Sequence, residues 1–341
     1  MRVIVPPNLL FRKTFIAAVV IMCTTSTLFG TFGNAQSQST LDKPVPEIEA
    51  LRAFWSPILR RPKARPSRTP GTPQSQRLSR LAALGERLFF DKRLSGDLTM
   101  SCSTCHIPDL GFTDGQPRRM GRRGQLLSHT VPSLWNVRDA KALTWSADVD
   151  TLEEHVDGPL ASTDEMAGRW ADVVNRLRAD PSILAMLPRN MVLSPTVIRI
   201  ALSEYQRQLT APRTRFDNWI EGEVNALTNE EQTGFALFVG RASCVSCHNG
   251  WRFTDDRLHD LGLNGAPSPG QSLLKKTPQL RGITATAPYM HDGRFVSLAE
   301  VVTHYAATGL DVGLKNQARP TRREPLSADE QKLLLAFLKT L

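Results

Sequence analysis

Apolar residues recur at helical spacing before the first cysteine-rich stretch. Leu78, Leu81, Leu84 and Leu88 follow one another at intervals of three or four residues, which places them on one face of a helix that begins near Gln76. No sustained alternation of apolar and polar residues of strand length competes with helical patterns of this kind. The sequence therefore predicts a mostly α-helical fold with long irregular loops.

Several helix starts are marked by a Ser or Thr that precedes a Glu by three residues. In this capping box the hydroxyl and the carboxylate each accept a hydrogen bond from a free backbone N–H. Ser194 followed by Pro195 predicts a further helix, since Pro suits the first helical position, and this helix should run to about Leu209. The predicted capping boxes are Thr151/Glu154, Thr228/Glu231, Ser297/Glu300 and Ser327/Glu330.

The N-terminal residues have the pattern of a secretory signal. Basic residues precede an apolar run over 15–22, and small residues follow near Ala35, so we predict a signal peptide over 1–35 that is removed on export to the periplasm. The run is too short to cross a bilayer, and no later segment reaches the ~20 apolar residues that a spanning helix needs. The mature protein is not expected to be an integral membrane protein.

The rest of the chain divides into a lead-in and two halves of ordinary domain size. Residues 36–76 are rich in Pro, Ser, Thr and Arg, which predicts a flexible or extended segment. We place an N-terminal domain at 77–212 and a C-terminal domain at 213–341. Each half has the same local order of a helix, a cysteine motif and a Phe-Thr-Asp, in GFTDG at 111 and RFTDD at 252.

The formal net charge of +9 narrows the class of partner. A basic surface favours acidic partners and membrane headgroups. Binding to nucleic acid is not expected of an exported chain without a nucleic-acid motif. Acidic redox proteins are therefore the preferred partner class.

Two five-residue motifs contain four of the five cysteines, because the fifth, Cys23, lies in the predicted signal. They read CSTCH at 102–106 and CVSCH at 244–248. A zinc site needs four neighbouring ligands, and a His directly after the second Cys gives awkward geometry. A thioredoxin-like pair of redox cysteines would need a βαβ context. Structural disulfides would have to join cysteines three positions apart or cross between the two motifs. Covalent haem attachment uses both thiols and the His.

We therefore predict two covalently bound haem c groups. In each motif the thiols would add to the two vinyl groups of the haem, and the His would bind the iron. The iron ligands are then His106 and His248. The residues predicted to attach the haems are Cys102, Cys105, Cys244 and Cys247.

Longer matching segments around the motifs make the chain similar to the bacterial di-haem cytochrome c peroxidase family, in its MauG-like branch. They cover most of residues 80–310. The resemblance implies two cytochrome c-like domains, with a peroxidatic haem in the first and an electron-transfer haem in the second. The segments are LGERLFFDKRLSGDLTMSCSTCH, TVPSLWNV, GPLASTDEM, CVSCHNGWRFTD and KTPQLRGITATAPYMHDGRFVSLAEVVTHY.

Two residues near the first haem take catalytic roles from this resemblance. Trp145 falls where the family has a tryptophan between the haems, although the residues that follow it depart from the family pattern; simple core packing is the alternative. Glu165 falls at the distal carboxylate that moves the proton during peroxide cleavage. A capping box formed by Ser162 and Glu165 is the alternative for that residue.

The histidines near the first haem leave its open face undecided. His155 stands where the family usually has Gln, and it is interpreted as a second proton shuttle, as an iron ligand or as a surface residue; the first is preferred. The family's closing loop His would fall near Arg122, and the nearest histidine is His129. Unless His129 or His155 takes that place, the resemblance implies an open iron that reacts with peroxide without prior reduction.

The resemblance also assigns the far side of the second haem and a calcium site. The family's distal ligand lies fourteen residues after the His of the PYMHDG segment, which gives Tyr305 here; packing beside a neighbouring Val on the same helix is the alternative. A Tyr ligand favours oxidised iron. For one calcium ion between the domains, the matching residues are Thr286, Pro288 and Thr130, which replaces the usual Asn.

The expected function is that of a periplasmic enzyme that reduces hydrogen peroxide at an open first haem. The second oxidising equivalent would be held at the haem bound by His248 and Tyr305, and electrons would come from a protein or small-molecule donor. Two alternatives stay open: a di-haem electron-transfer cytochrome, and a MauG-like enzyme that oxidises a partner protein. The sequence identifies neither the donor nor the oligomeric state.

Overall fold

The computed structural model describes residues 46–63, 71–260, 274–308 and 325–341, so the predicted signal at 1–35 lies outside the described residues. Within these ranges the chain is rich in helix with little sheet, which confirms the predicted helical character. None of the described helices combines the length and apolar composition that crossing a bilayer requires. The helices are α1 (Pro46–Leu59), α2 (Pro73–Phe89), α3 (Cys102–Cys105), α4 (Leu152–His155), α5 (Asp157–Ala161), α6 (Trp170–Arg178), α7 (Pro181–Met186), α8 (Pro195–Gln206), α9 (Arg215–Glu221), α10 (Asn229–Val239), α11 (Leu298–Thr308) and α12 (Ala328–Leu338).

One small sheet accompanies these helices. Strand β1 (Leu258–Asp260) pairs antiparallel with β2 (Leu274–Lys276), and His259 lies opposite Lys275 in the register. Both of these central residues are buried. His259 of this sheet lies beside Cys247 of the second cysteine motif, and the sheet is too small to form a layer of the fold.

In the first half, the helix before the CSTCH motif packs closely against α8. The two helices approach at Gly85, where an added Cβ would lie 1.9 Å from the carbonyl oxygen of Ala201. The apolar face predicted on α2 is buried: Leu81, Leu84 and Leu88 all belong to one buried cluster with α8 residues. This pair of helices forms the support on which the first motif rests.

The second half repeats this arrangement with α10 and α12. An added Cβ at Gly234 would lie 2.0 Å from the carbonyl oxygen of Leu333. Aromatic side chains fill the space around the crossing. Phe337 packs edge to face against Phe216 and Phe235, and the ring centres of all three lie within 6.1 Å of one another. The second motif follows α10, as the first follows α2 and a short 3-10 helix at Lys92–Leu94.

The predicted lead-in at 36–76 differs from the structure because part of it is helical. Helix α1 contains Pro57 yet runs to Leu59, and its apolar residues pack on the aromatic cluster of the second half. Ser56 also donates a hydrogen bond to the carbonyl of Ile220, at 2.9 Å. Burial of one helix face outweighs the Pro-rich composition here, since tertiary packing commonly overrides local propensity.

The helix starts follow the predicted capping pattern. At Thr228, Ser297 and Ser327 the hydroxyl accepts from the backbone of the Glu three residues on, and the carboxylate accepts from the cap backbone. Thr151 accepts from the Glu154 backbone N–H at 3.2 Å. Ser194 likewise caps α8 before Pro195, although this helix ends at Gln206, three residues before the predicted end.

The two halves meet along a polar and aromatic junction, and the described residues all belong to one compact unit. The indole of Trp135 lies between Gly111 and Gly282, where added Cβ atoms would come within 3.1 Å and 2.4 Å of its ring. Asn136 donates to the side chain of Gln279 at 3.0 Å. Two separate buried apolar clusters lie on either side of this junction, and the domain limits at 77–212 and 213–341 stay a prediction.

Candidate functional site

The first cysteine motif forms the short helix α3 and ends at its histidine. Ser101 and Thr104 cap this helix reciprocally, and the backbone N–H of His106 bonds to the carbonyl of Cys102. The Nδ1 atom of His106 lies 2.9 Å from the carbonyl oxygen of Phe112. Phe112 has a φ of 59°, a left-handed conformation that is uncommon for a bulky residue.

The second motif has the same anchor on a different local backbone. Cys244–Ser246 is a 3-10 helix, and Nδ1 of His248 lies 2.9 Å from the carbonyl oxygen of Phe253. Phe253 has a φ of 57°. Both Phe residues begin the repeated Phe-Thr-Asp, so this repeat supplies the carbonyl that orients each histidine.

This anchoring leaves both imidazoles suited to binding a metal. When Nδ1–H donates to a backbone carbonyl, Nε2 keeps its lone pair for an iron ligand bond. Burial lowers the pKa of His106 to about 4 and also lowers the pKa of His248, so both rings are neutral at physiological pH. The residues of both motifs therefore fit a group that needs a neutral, oriented imidazole.

None of the four described cysteines is in a disulfide. Burial raises the pKa of Cys102 to about 12 and raises the pKa of Cys105. Among the described residues, the group of three side chains that could share a metal ion is Cys247, Asp255 and His259, which is one ligand short of a structural zinc site.

A cavity of about 480 Å³ lies beside the first motif. Side chains from three separate segments line it: His106 from the motif, His155 from the end of α4, and Glu165 from the loop after α5. Trp145 lines the same cavity. The structure thus brings together residues that are spread over sixty positions of the sequence, with the His106 imidazole and the Glu165 carboxylate sharing one space.

Glu165 forms an ion pair with Arg119 in this cavity. Its side chain is 14% exposed and that of Arg119 is 23% exposed. The capping box with Ser162 is wrong, because Ser162 ends helix α5 and begins no helix. Arg119 was not predicted, since it lies in an arginine-rich loop that has no spacing signal relating it to Glu165.

His155 faces the cavity, so the surface alternative for this residue is wrong. Burial lowers the pKa of His155; the nearby carboxylate of Asp148 opposes this shift and Arg119 adds to it. His155 is also close enough to His106 to lower the pKa of that imidazole. A neutral His155 can accept a proton or bind a metal, so both of its other interpretations stay open.

His129 also lines the cavity but faces a second histidine. Its Nδ1 lies 2.7 Å from the hydroxyl of Ser128, and the centre of its ring lies 5.7 Å from that of His291. Burial lowers the pKa of His129. Its contact with His291 places it at the junction of the halves.

Trp145 touches both halves of the chain. Its indole N–H donates to the carbonyl of Thr130 at 3.0 Å, and its own carbonyl accepts from the backbone of Lys276 at 2.9 Å. Its ring meets His291 edge to face at 6.4 Å. Trp145 therefore lies across the junction.

Tyr305 lies on α11, close to the second motif. Burial raises the pKa of its phenol, and the thiols of Cys247 and Cys244 raise it further. The effects of the two thiols require the phenol to be near both cysteines. In the surroundings described, Tyr305 is a neutral phenol, and only a cation close to its oxygen would favour the phenolate.

The residues predicted to hold calcium line the edge of the cavity. Thr130 is buried and donates its hydroxyl to the carbonyl of Met290 at 3.2 Å, and Thr286 donates to the carbonyl of Ile283 at 3.1 Å. Together with the backbone of Pro288 they offer neutral oxygens and no carboxylate. Calcium sites generally include carboxylates, so these residues fit the ion poorly.

Comparison with known proteins identifies the family of this chain. A family model for di-haem cytochrome c peroxidases matches residues 79–225. The chain is 35% identical to the methylamine utilization protein MauG of Methylorubrum extorquens, over all of this chain and 96% of that protein. It is 30% identical to the cytochrome c551 peroxidase of Nitrosomonas europaea, over 76% of this chain and 79% of that one.

The solved structures give the same result. The chain resembles a MauG-like protein associated with microbial copper homeostasis, with a TM-score of 0.70 and 31% identity over 84% of this chain and 93% of that one. The relatives include both peroxidases and MauG, and both are oxidoreductases. On these grounds the chain is an oxidoreductase that belongs to the di-haem cytochrome c peroxidase family, which includes the MauG proteins.

Proposed function

We propose that this protein reduces hydrogen peroxide beside the first motif, with Glu165 as the proton carrier. The observation that carries the proposal is the shared cavity, in which a neutral, anchored His106 and the carboxylate of Glu165 line one space. Reduction of hydrogen peroxide to two waters takes up two electrons and two protons. A site for this reaction needs both an electron source and a proton carrier within one enclosed space.

The haem groups would be held by residues already described. Cys102, Cys105 and His106 would hold the first, and the CVSCH motif with Tyr305 would hold the second. When bound, the haems supply the redox-active iron through which electrons reach peroxide. Tyr305 would provide a hard oxygen ligand, which favours oxidised iron and suits storage of an oxidising equivalent.

The protein residues would move the protons and connect the two sites. Glu165 would take a proton from the peroxide oxygen nearer to it and return that proton to the leaving oxygen. His155 would act as the second proton carrier, since an imidazole can take up a proton from solvent and deliver it to the reacting oxygens near neutral pH. Trp145, which contacts both halves, would lie on the electron path between the two haem sites.

Several features of the proposal lie outside the cavity. Electrons would come from a protein or small-molecule donor, with an acidic redox protein preferred for a basic chain. The protein would act in the periplasm after removal of residues 1–35. The proposal needs no calcium ion, because the candidate residues provide only neutral oxygens.

Rapid mixing of the haem-loaded protein with hydrogen peroxide tests the proposal. The oxidised wild-type protein should change its visible spectrum on mixing. Glu165→Gln should slow this reaction by ~10²-fold, whereas Glu154→Gln, which removes another carboxylate that lines the same cavity, should leave the rate close to wild type. Equal rates in wild type and Glu165→Gln would remove Glu165 as the proton carrier.

A second candidate function is oxidation of a partner protein. It is favoured by the 35% identity to MauG over the whole chain. This activity would give a covalently altered partner that forms only when the enzyme and peroxide are both present, and mass spectrometry of the partner would detect it. Failure of peroxide to react with the protein in either redox state would instead select an electron-transfer cytochrome.

A further inference from the structure

We propose that Arg119 is a positioning residue that keeps Glu165 ionised and directs its carboxylate into the cavity. The inference rests on the proposed function, because it gives Glu165 the form that a proton acceptor needs. A carboxylic acid that already carries its proton cannot take one from peroxide. The partner of Glu165 therefore decides the pH range in which the site works.

The backbone around Arg119 is fixed by a hairpin. The N–H of Arg119 donates to the carbonyl of His129 at 3.3 Å, and its carbonyl accepts from Leu127 at 2.8 Å. Nearer the tip, the N–H of Gly121 donates to the carbonyl of Gln125 at 2.7 Å. These hydrogen bonds fix the backbone position from which the Arg119 side chain extends.

The tip of this hairpin is fastened to the loop that carries Glu165. The backbone N–H of Arg122 donates to the carbonyl of Asp164 at 2.9 Å, and its Nε donates to the carbonyl of Thr163 at 2.9 Å. An added Cβ at Gly121 would lie 2.8 Å from the carbonyl oxygen of Asp164. The two backbones that bear Arg119 and Glu165 are therefore held at a fixed separation.

The ion pair is shielded enough to affect protonation. Both side chains are less than one quarter exposed, so solvent screens the attraction less than at a surface pair. An opposite charge this close favours the ionised form of a carboxyl. The other groups that act on Arg119 are Cys105 and Asp114, which oppose the lowering of its pKa by burial.

Other charged groups nearby have different partners. Asp164, next to Glu165, lies 3.5 Å from Arg123 and accepts from Gln125. Arg122 pairs with Asp97 at 2.9 Å. This leaves Arg119 as the cation directed at Glu165 in the described part of the chain. Arg252 and Lys276 also line the cavity, but both pair with Asp256. The remaining titratable groups that line the cavity with Glu165 are His106, His129, His155, Asp148, Glu154 and Tyr289.

Infrared titration of the haem-loaded protein measures this effect directly. The band of the protonated Glu165 carboxyl is assigned by its loss in Glu165→Gln. Arg119→Gln should raise the midpoint of this titration by at least about one pH unit. Arg119→Lys keeps the positive charge, so its midpoint should lie close to that of wild type. Arg123→Gln removes a cation from the same hairpin that pairs with Asp164, and it should leave the midpoint unchanged.

The peroxide reaction gives the second readout. Because the rate falls as Glu165 gains its proton, the acidic limb of the rate profile in Arg119→Gln should move to higher pH by the same amount as the infrared midpoint. Identical midpoints in wild type and Arg119→Gln would overturn the inference. If Glu165→Gln reacts slowly with peroxide but Arg119→Gln keeps the wild-type midpoint, only the role of Arg119 is refuted. If Glu165→Gln reacts as fast as wild type, the proposed proton route is refuted.

Discussion

The orientation of the His106 imidazole and that of the His248 imidazole each depend on a hydrogen bond to one backbone carbonyl oxygen. The carbonyls that hold them belong to Phe112 and Phe253, both with φ near 60°. A non-Gly residue in this conformation costs roughly 1–2 kcal/mol, a cost that persists only where the surrounding structure fixes it. The repeated Phe-Thr-Asp was visible in the sequence, but its function was not, because residue types do not reveal a positive φ.

Replacement of Tyr305 by Phe tests the ligand of the second haem. The change removes the phenol oxygen and keeps the ring, so the low-spin haem should show altered visible and electron paramagnetic resonance spectra. Tyr289→Phe is the control, because the Tyr289 hydroxyl donates to the carbonyl of Ile283 at 3.1 Å and its loss should leave both spectra unchanged. An unaltered spectrum in Tyr305→Phe would remove Tyr305 from the ligand set.

A buried pair beside the second motif makes stability depend on pH. Nε2 of His259 lies 2.8 Å from the Asp255 carboxylate. Asp255, with a smaller effect from Cys247, raises the pKa of His259 from 6.5 to about 9. A raised pKa stabilises the fold fully below the unfolded value, and this stabilisation is lost as pH rises from about 6.5 through about 9.

We therefore expect the free energy of unfolding to decline between those pH values, by at most about 1.4 kcal/mol per pH unit. Chemical denaturation at several pH values measures this slope. His259→Gln should flatten the slope, and so should Asp255→Asn, since the raised pKa needs both partners. A slope that stays the same in both variants would contradict the assignment.

The candidate site residues show where reading the sequence succeeds and fails. The resemblance placed Glu165, Trp145 and Tyr305 by their distance from short motifs, and the structure puts all three close to the cysteine motifs or the junction. Their roles stay predictions. The ion pair of Glu165 with Arg119 was missed, because it joins two loops, and the side-chain contacts of loops depend on tertiary packing.

At the scale of elements, the main helix pair in each half is packed in the same way, with a glycine at the point of closest approach. Gly85 and Gly234 allow α2 and α10 to approach the backbones of α8 and α12. Alanine would gain up to about 1 kcal/mol of helix propensity at either position. Its methyl group would, however, lie near 2 Å from a carbonyl oxygen, and overpacking of this kind typically costs about 1–3 kcal/mol or more.

Both Gly85→Ala and Gly234→Ala should therefore lower the thermal midpoint by several degrees, because the clash exceeds the gain in propensity. Differential scanning calorimetry of the haem-loaded protein measures the midpoint. Gly158→Ala on α5 is the control, since its added Cβ would meet nothing within 4 Å and should not destabilise the fold. A midpoint at or above that of wild type in Gly85→Ala would refute the close approach.

The capping boxes were predictable because each depends on residues three positions apart. Their hydrogen bonds form within one turn, and no distant contact is needed. Helix α1 was not predictable in this way, since Pro57 and the residues around it favour an extended chain. Its helix depends on Ile48, Leu51 and Trp55 packing against a cluster built from residues more than 150 positions later.

At the scale of the whole molecule, a buried ionic network attaches α1 to the second half. Asp217 and Arg281 are fully buried and lie 2.7 Å apart. Arg281 also donates to the carbonyl of Leu59 at 2.9 Å, and Arg61 pairs with Asp217 at 3.0 Å. Removing one partner of a buried pair leaves an uncompensated charge, which typically costs about 3–5 kcal/mol.

Asp217→Asn should lower the free energy of unfolding by that amount. Denaturant titration followed by circular dichroism measures the change. Glu221→Gln is the matched control on the same helix, because Glu221 pairs with Arg213 at the surface, where the side chains are 36% and 54% exposed and such pairs contribute about 1 kcal/mol or less. If Asp217→Asn lowers the free energy of unfolding no more than Glu221→Gln does, the buried network adds no more stability than a surface ion pair.

The indole of Trp135, held between Gly111 and Gly282, bears on how the protein can change shape. Opening the junction there would expose both faces of a large aromatic ring to water and leave an empty slot between two backbones. The two halves have no hinge at this position. Any rearrangement that accompanies catalysis should leave this junction closed, and amide hydrogens around Gly111 and Gly282 should exchange with solvent as slowly as those of the core helices.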